Sequence, residues 1–320
     1  MSTRFNLGLL FGSRRTSTIG RDAIPKRNDK IGVTNETRSV QLPSMRPSAA
    51  MNMRVSRYLI GGYNNVEGWL VPTTAHIMGI LAEEQTRLGV RGDLVEIGVH
   101  HGKSFLVLAN SVASDEKVFA IDVFDDQHKN IDQSGHGNRQ MLLDNVNSRA
   151  PEAPIEIIQE SSFDLPFIGW PQSHADSIRF FSIDGSHTRE ATLNDLKIAE
   201  QTTKDGAIVA VDDVLSSHWL GVISGLFDYF STGGKLIPFA VIPDKMLLSK
   251  GERLKQTWVD IIRREYGKFI SKRDVKFLDY SVDIVEENFS LLKELEAQIS
   301  WAQRVENFGG DGKAPNKSSR

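Results

Sequence analysis

GDLVEIGVHHGKS, residues 92–104, is the stretch from which the rest of the chain can be read. Leu94 to Val99 is a short apolar run with β-branched residues and one acid, Glu96, inside it; glycines stand at 98 and 102. The pattern predicts a buried strand, a tight glycine turn and a helix beginning near Lys103. In open α/β sheets, ligands sit where the chain leaves the carboxyl end of a strand for a helix. Glu96, Gly98 and Gly102 are therefore expected to line a nucleotide-like cofactor site.

The glycine spacing narrows the cofactor. A dinucleotide fingerprint needs G-x-G-x-x-G, because its middle glycine lets the backbone approach a pyrophosphate. Here Glu96 is followed by Gly98 and then Gly102, with His100 and His101 between them. A carboxylate in the last turn of this strand suits an ammonium or sulfonium better than a diphosphate. S-adenosyl-L-methionine carries those cations and no phosphate. The plain alternative is a generic strand–turn–helix corner.

Outward from this stretch, helical and strand patterns alternate. A helix is predicted over 74–88 before it, and strands follow over 118–124, 155–162, 178–185 and 206–214, with helices over 103–113, 139–146, 189–201 and 220–230. Residues 236–251 read as a closing hairpin around Pro243–Asp244. Strands separated by helices imply βαβ units and a parallel sheet. The expected fold is α/β, a Rossmann-like, mostly parallel sheet with helices on both faces and an antiparallel hairpin at one edge. Residues 252–306 are expected to be an extension packed on it, as helix, a strand near 275–285, and helix.

The acids at the strand ends carry the chemistry. Asp122 ends the second strand, where α/β nucleotide-binding domains hydrogen-bond ribose hydroxyls; helix capping is the ordinary alternative. Residues 159–162, with Ser161, are placed to meet an adenine. FSIDGSH brings Asp184 and His187 to the end of strand four, and VAVDDV brings Asp212 and Asp213 to the end of strand five. Side by side these carboxylates would repel and raise one another's pKa. A hard divalent cation would remove the problem, so Asp184, Asp212 and Asp213 are candidate Mg²⁺ ligands. His187 is then the candidate general base. Here too, capping by Asp184 and Asp213 and a surface turn at His187 remain open.

Composition sets outer limits. The chain has 320 residues, a net charge of −3 and no cysteine, which excludes a disulfide framework, thiolate metal ligation and a cysteine nucleophile. Residues 1–57 hold eleven Lys/Arg against three acids and are rich in Ser, Thr, Asn and Pro. A disordered basic leader is expected there, and a disordered tail over 307–320. No apolar run approaches the roughly 20 residues of a membrane span, and no cleavable signal is read. A cytoplasmic protein with no nucleic-acid partner is expected, as is packing of 291–308 on the domain or on a second copy in a homo-oligomer.

The segments EIGVHHG, AIDVF, SIDGSH and VAVDDV, in this order, resemble class I S-adenosylmethionine-dependent methyltransferases. The resemblance is nearest to the Mg²⁺-dependent sugar O-methyltransferases of the macrocin type and related bacterial proteins, and it covers about residues 60–250. It implies that Glu96, Gly98, Gly102, Asp122, Ser161 and Asp184 border the cofactor, that Asp184, Asp212 and Asp213 hold Mg²⁺, and that His187 is the base. Some relatives carry Glu where Asp212 stands. The implied activity is O-methylation of a sugar, glycan or other small hydroxylated molecule. An NAD-dependent oxidoreductase, a nucleic-acid-binding protein and an inactive S-adenosylmethionine-binding protein are the competing readings.

Overall fold

The structure, a computed structural model, describes residues 53–309, with side chains described through residue 300. The disordered leader expected over 1–57 and the tail expected over 307–320 lie mostly outside the described residues. Where they are described, Met53 already begins a helix, and the last helix runs to Gly309.

The chain opens with α1 (Met53–Gly61) and α2 (Pro72–Arg87), then β1 (Asp93–Ile97), α3 (Phe105–Ala109), β2 (Val118–Ile121), α4 (Arg139–Arg149) and β3 (Ile155–Ile158). It continues with α5 (Trp170–Ser173), β4 (Ile178–Ile183), α6 (Arg189–Thr202), β5 (Thr203–Asp212), α7 (Leu220–Ser231), β6 (Leu236–Val241) and β7 (Lys245–Lys250). It closes with α8 (Lys255–Tyr266), β8 (Ile270–Phe277), β9 (Tyr280–Val285) and α9 (Leu291–Gly309). The nine strands of the described residues join one sheet in the order β3-β2-β1-β4-β5-β7-β6-β9-β8. The first five strands of that order are parallel neighbours; β7 runs antiparallel to β5 and β6.

The α/β, mostly parallel reading holds, with one correction. The β6–β7 hairpin is not the edge. β9 pairs parallel to β6, and β8 pairs antiparallel to β9 and becomes the last strand. The stretch 275–285, expected as one strand, holds the end of β8, the turn and β9 of a second hairpin that extends the sheet.

Central strands are apolar on both faces because helices cover both. Every residue of β4 is buried. Leu94, Phe180, Ile208 and Ala210 pack into one apolar cluster with α1–α4, α8 and α9, whereas Val95, Phe181, Val209 and Val211 pack into the other with α5–α7. Burying a phenylalanine such as Phe180 or Phe181 contributes about 1.5–3 kcal/mol. Strand order reverses between β1 and β4, whose carboxyl ends therefore splay apart and leave a crevice. Five strands stop two to four residues short of their predicted ends, because the chain turns there. Gly98, Phe124 and Asp213 all have positive φ at those ends. Among the described residues, no helix is long and apolar enough to cross a membrane.

Candidate functional site

The crevice opens into a cavity of about 710 Å³ at the carboxyl ends of β1–β5. That is within the few hundred to a thousand Å³ typical of small-molecule sites. Gly98, Asp122, Ser161, Asp184, His187, Asp212 and Asp213, all predicted site residues, line it.

Gly98 has φ +84°, and a Cβ there would lie 1.8 Å from the Asp184 carbonyl oxygen, so only glycine lets the ends of β1 and β4 approach. Two predicted residues do not face the cavity. Glu96 is fully buried beneath its wall and accepts a hydrogen bond from Ser182 Oγ at 2.9 Å. Burial pushes its carboxyl up to about 7, with Lys245, Ser104 and Ser182 opposing. Gly102 has φ +93°, and a Cβ there would meet Leu142 Cδ1 at 2.7 Å. Its task is helix packing, and the expectation that it lines the cofactor is corrected accordingly.

Asp122 shapes the turn after β1. Its Oδ2 accepts from the His100 N–H at 2.8 Å, and its Oδ1 from the Phe124 N–H at 2.6 Å. Each carboxylate oxygen has a second lone pair that remains available for a ribose hydroxyl. Ser161 Oγ accepts from the Phe163 N–H at 3.3 Å on the far wall. The loop 130–137 covers the opening. Asn130 Nδ2 donates to the Ser134 and Gly135 carbonyls, and Ser134, Gly135 and Gly137 line the cavity.

His187 is clamped between two carboxylates. Its Nδ1 lies 2.9 Å from Asp132 Oδ2, its Nε2 lies 3.3 Å from Asp213 Oδ2, and its ring stacks on Trp219 with centroids 4.1 Å apart. Its backbone N–H also donates to Asp132 Oδ2, at 2.6 Å. Burial disfavours the imidazolium, yet Asp213 and Asp132 outweigh it and hold His187 above its ordinary value. Burial likewise raises Asp132, but Ser134 and His187 bring it down to about 2. Gly221 begins α7 against this loop: a Cβ there would sit 2.2 Å from the His187 carbonyl oxygen.

The acids expected to hold a metal arrange themselves differently from the reading. Lys245 reaches in from β7, with Nζ 3.3 Å from Asp184 Oδ2 and 3.0 Å from Asp212 Oδ2. Burial and the neighbouring Asp184 raise Asp212 well above its ordinary value, with Lys245 opposing. Asp184, His187 and Asp213 each bring one possible ligand atom within 4.8 Å of the others. Asp212 is not in that group. The set Asp184, Asp212 and Asp213 does not fit a divalent ion here, because an ammonium already joins two of its members. The smaller group would need His187 to release a carboxylate.

Two site residues escaped the sequence reading. Asp132 belongs to a loop that was read only as a lead-in to α4, and nothing in its spacing tied it to a histidine 55 positions away. Lys245, at the tip of the closing hairpin, reads in sequence as an exposed lysine or as an acceptor contact, whereas its position opposite Asp212 follows from the β5–β7 register. Trp69 and Trp219 line the cavity, as does His218, whereas Tyr63 and Phe124 belong to the core.

The cavity wall carries seven carboxylates against two lysines, Lys103 and Lys129. Buried polar atoms that the described residues leave short of well-formed hydrogen bonds cluster at it: His100 Nδ1, Asp212 Oδ1 and Asp244 Oδ1. Such groups in a native fold need an explanation, and a polar ligand is one. Lys245 offsets Asp184 and Asp212 from behind the wall, and the remaining acids still outnumber Lys103 and Lys129, a balance that suits a cationic sulfonium and ammonium better than a diphosphate.

Residues 95–214 match a family model described as a methyltransferase domain. No curated protein matches the chain. Among solved structures, the O-methyltransferase NovP is 18% identical over 56% of this chain and 81% of its own, with a TM-score of 0.44. An O-methyltransferase from Bacillus cereus in complex with SAH is 14% identical over 65% of this chain and 94% of its own, with a TM-score of 0.43. TomG from Streptomyces achromogenes, in complex with SAM, is 14% identical over 64% of this chain and 91% of its own, with a TM-score of 0.41.

Proposed function

We propose, on the premise that residues 95–214 form a class I methyltransferase domain, that this chain moves a methyl group from S-adenosylmethionine to a hydroxyl oxygen of a small acceptor, a sugar, glycan or other hydroxylated molecule. The observation that carries the reading is the clamped His187 beside an acid-walled cavity at the ends of β1, β2 and β4. Bound there, S-adenosylmethionine supplies an electrophilic methyl group on a sulfonium.

The residues of the chain do the remaining work. Asp122 offers its free lone pairs to the ribose, and Ser161 offers a polar contact near the adenine. Asp132 holds Nδ1–H of the neutral His187, Nε2 takes the proton, Asp213 then accepts a hydrogen bond from the new Nε2–H, and Trp219 fixes the ring plane. As the acceptor's oxygen–carbon bond forms, its O–H proton passes to Nε2 and the bond to sulfur breaks, with the electron pair staying on sulfur. In-line displacement is governed by alignment, so orientation contributes most. Trp69, 78% exposed at the rim, offers an apolar face to an acceptor.

No step needs Mg²⁺. An NAD-dependent oxidoreductase is disfavoured by the acidic wall and the missing second fingerprint glycine. The test is direct. The full chain is incubated with S-adenosylmethionine and a panel of hydroxylated acceptors, and products are read by mass spectrometry. Products one CH₂ heavier, formed by the wild type and lost in His187→Ala, support the reading. Transfer to nitrogen or carbon alone refutes it.

A further inference from the structure

Lys245 opens β7 directly after a hairpin turn, a place where lysines are ordinarily solvated, yet it is only 2% exposed. The register of β5 and β7 pairs it with Asp212, so the sheet itself aims the side chain at the acids. Its ammonium lies 3.0 Å from Asp212 and 3.3 Å from Asp184, bridging the ends of β4 and β5. Burying an ammonium costs several kcal/mol unless carboxylates pair with it. The fold therefore commits two of its strand-end acids to this one cation.

We propose that Lys245 is the resident cation of the site: a positioning residue that joins Asp184 to Asp212, takes the place of a divalent metal and leaves the site metal-independent. A tethered ammonium neutralises the acids much as a divalent ion would. It differs in that it cannot coordinate an acceptor oxygen, so acceptor activation falls to His187 and Asp132. Asp213, next in sequence to Asp212, pairs with His187 instead, its Oδ2 3.3 Å from Nε2. The proposal deepens the methyl-transfer reading and rests on it only for the task of the site; the cation itself rests on the geometry of Lys245.

MnCl₂ titration of the full chain without cofactor, followed by electron paramagnetic resonance, tests it. Wild type is expected to show no site tighter than the millimolar range, and EDTA treatment is expected to leave turnover within about twofold. Lys245→Met is expected to gain one Mn²⁺ site at least about tenfold tighter than wild type, because its acids lose their counter-ion. A purely structural lysine would give no such gain. Stoichiometric micromolar Mn²⁺ binding by wild type overturns the proposal, as does a folded Lys245→Met chain with no gain. Should that variant fail to fold, the wild-type titration and EDTA arm decide alone. If the wild type binds no S-adenosylmethionine at all, the methyl-transfer reading fails while the Mn²⁺ result still stands.

Discussion

In the proposed reaction, His187 and Asp132 form the pair on which proton transfer turns. Removing a positioned general base costs about 10²–10⁴-fold in rate. His187→Ala is therefore expected to lower kcat by that order and to leave cofactor affinity near wild type, as read by steady-state kinetics and calorimetry. The pH dependence has a definite sign. His187 accepts a proton only when neutral, and Asp213 and Asp132 raise its pKa, so activity falls as pH drops through that raised value. Asp132→Asn removes one of the holding carboxylates, so the acidic limb of the kcat profile should move to lower pH while the plateau falls. A limb that stays in place would remove Asp132 from this role. The strand-end acids were legible in sequence because parallel strands end side by side, which makes their juxtaposition a consequence of topology. Asp132 was not, since the fold of an irregular loop has no periodicity to read.

Arg179 on β4 shows how the elements around the site are fixed. It is fully buried, and its guanidinium grips Glu116 through Nε and Nη2 at 2.9 and 2.8 Å. The remaining donors reach the Ala82 and Ser111 carbonyls and Gln85 Oε1, tying β4 to α2 and to the turn after α3. Breaking a buried pair by removing one partner costs about 3–5 kcal/mol, because the other charge is left uncompensated. Arg179→Met should lower unfolding stability in urea by that amount, and Arg179→Met/Glu116→Gln by less than the single change. Close packing of α7 on α6 is set by Gly221 and Gly225, where added Cβ atoms would lie 2.2 and 2.5 Å from backbone oxygens. Gly221→Ala should displace the His187 loop and reduce kcat with little change in cofactor affinity. The helices over 72–87, 189–202 and 220–231 were legible from apolar periodicity. The β8–β9 hairpin was read as one strand because β8 is an edge strand of mostly exposed polar residues, with no alternating apolar face to mark it.

At the scale of the whole molecule, buried acids give stability a pH dependence. Burial raises Glu96 to about 7 and Asp195 to about 6. A carboxyl that binds its proton more tightly folded than unfolded favours folding below its unfolded pKa, and that advantage is lost as pH rises through the folded value. Stability should thus decline between about pH 4.5 and 7, by on the order of 1–3 kcal/mol per group. Glu96→Gln should flatten part of this slope in urea titrations at pH 5 and pH 8. The match of residues 95–214 to a methyltransferase domain spans the four segments that carry the methyltransferase resemblance, and the Rossmann-like topology follows from the alternation of strands and helices. Lys245 stayed hidden because its burial depends on the register of β7 against β5. In the proposed reading, the acid-walled cavity at the ends of β1, β2 and β4 binds a cationic methyl donor and rejects a dinucleotide. Calorimetric titration of the full chain with S-adenosylmethionine and with NADH tests it most directly. The account predicts one S-adenosylmethionine site, weakened at least about tenfold by Asp122→Ala, and no heat from NADH. Saturable NADH binding without S-adenosylmethionine binding would contradict it.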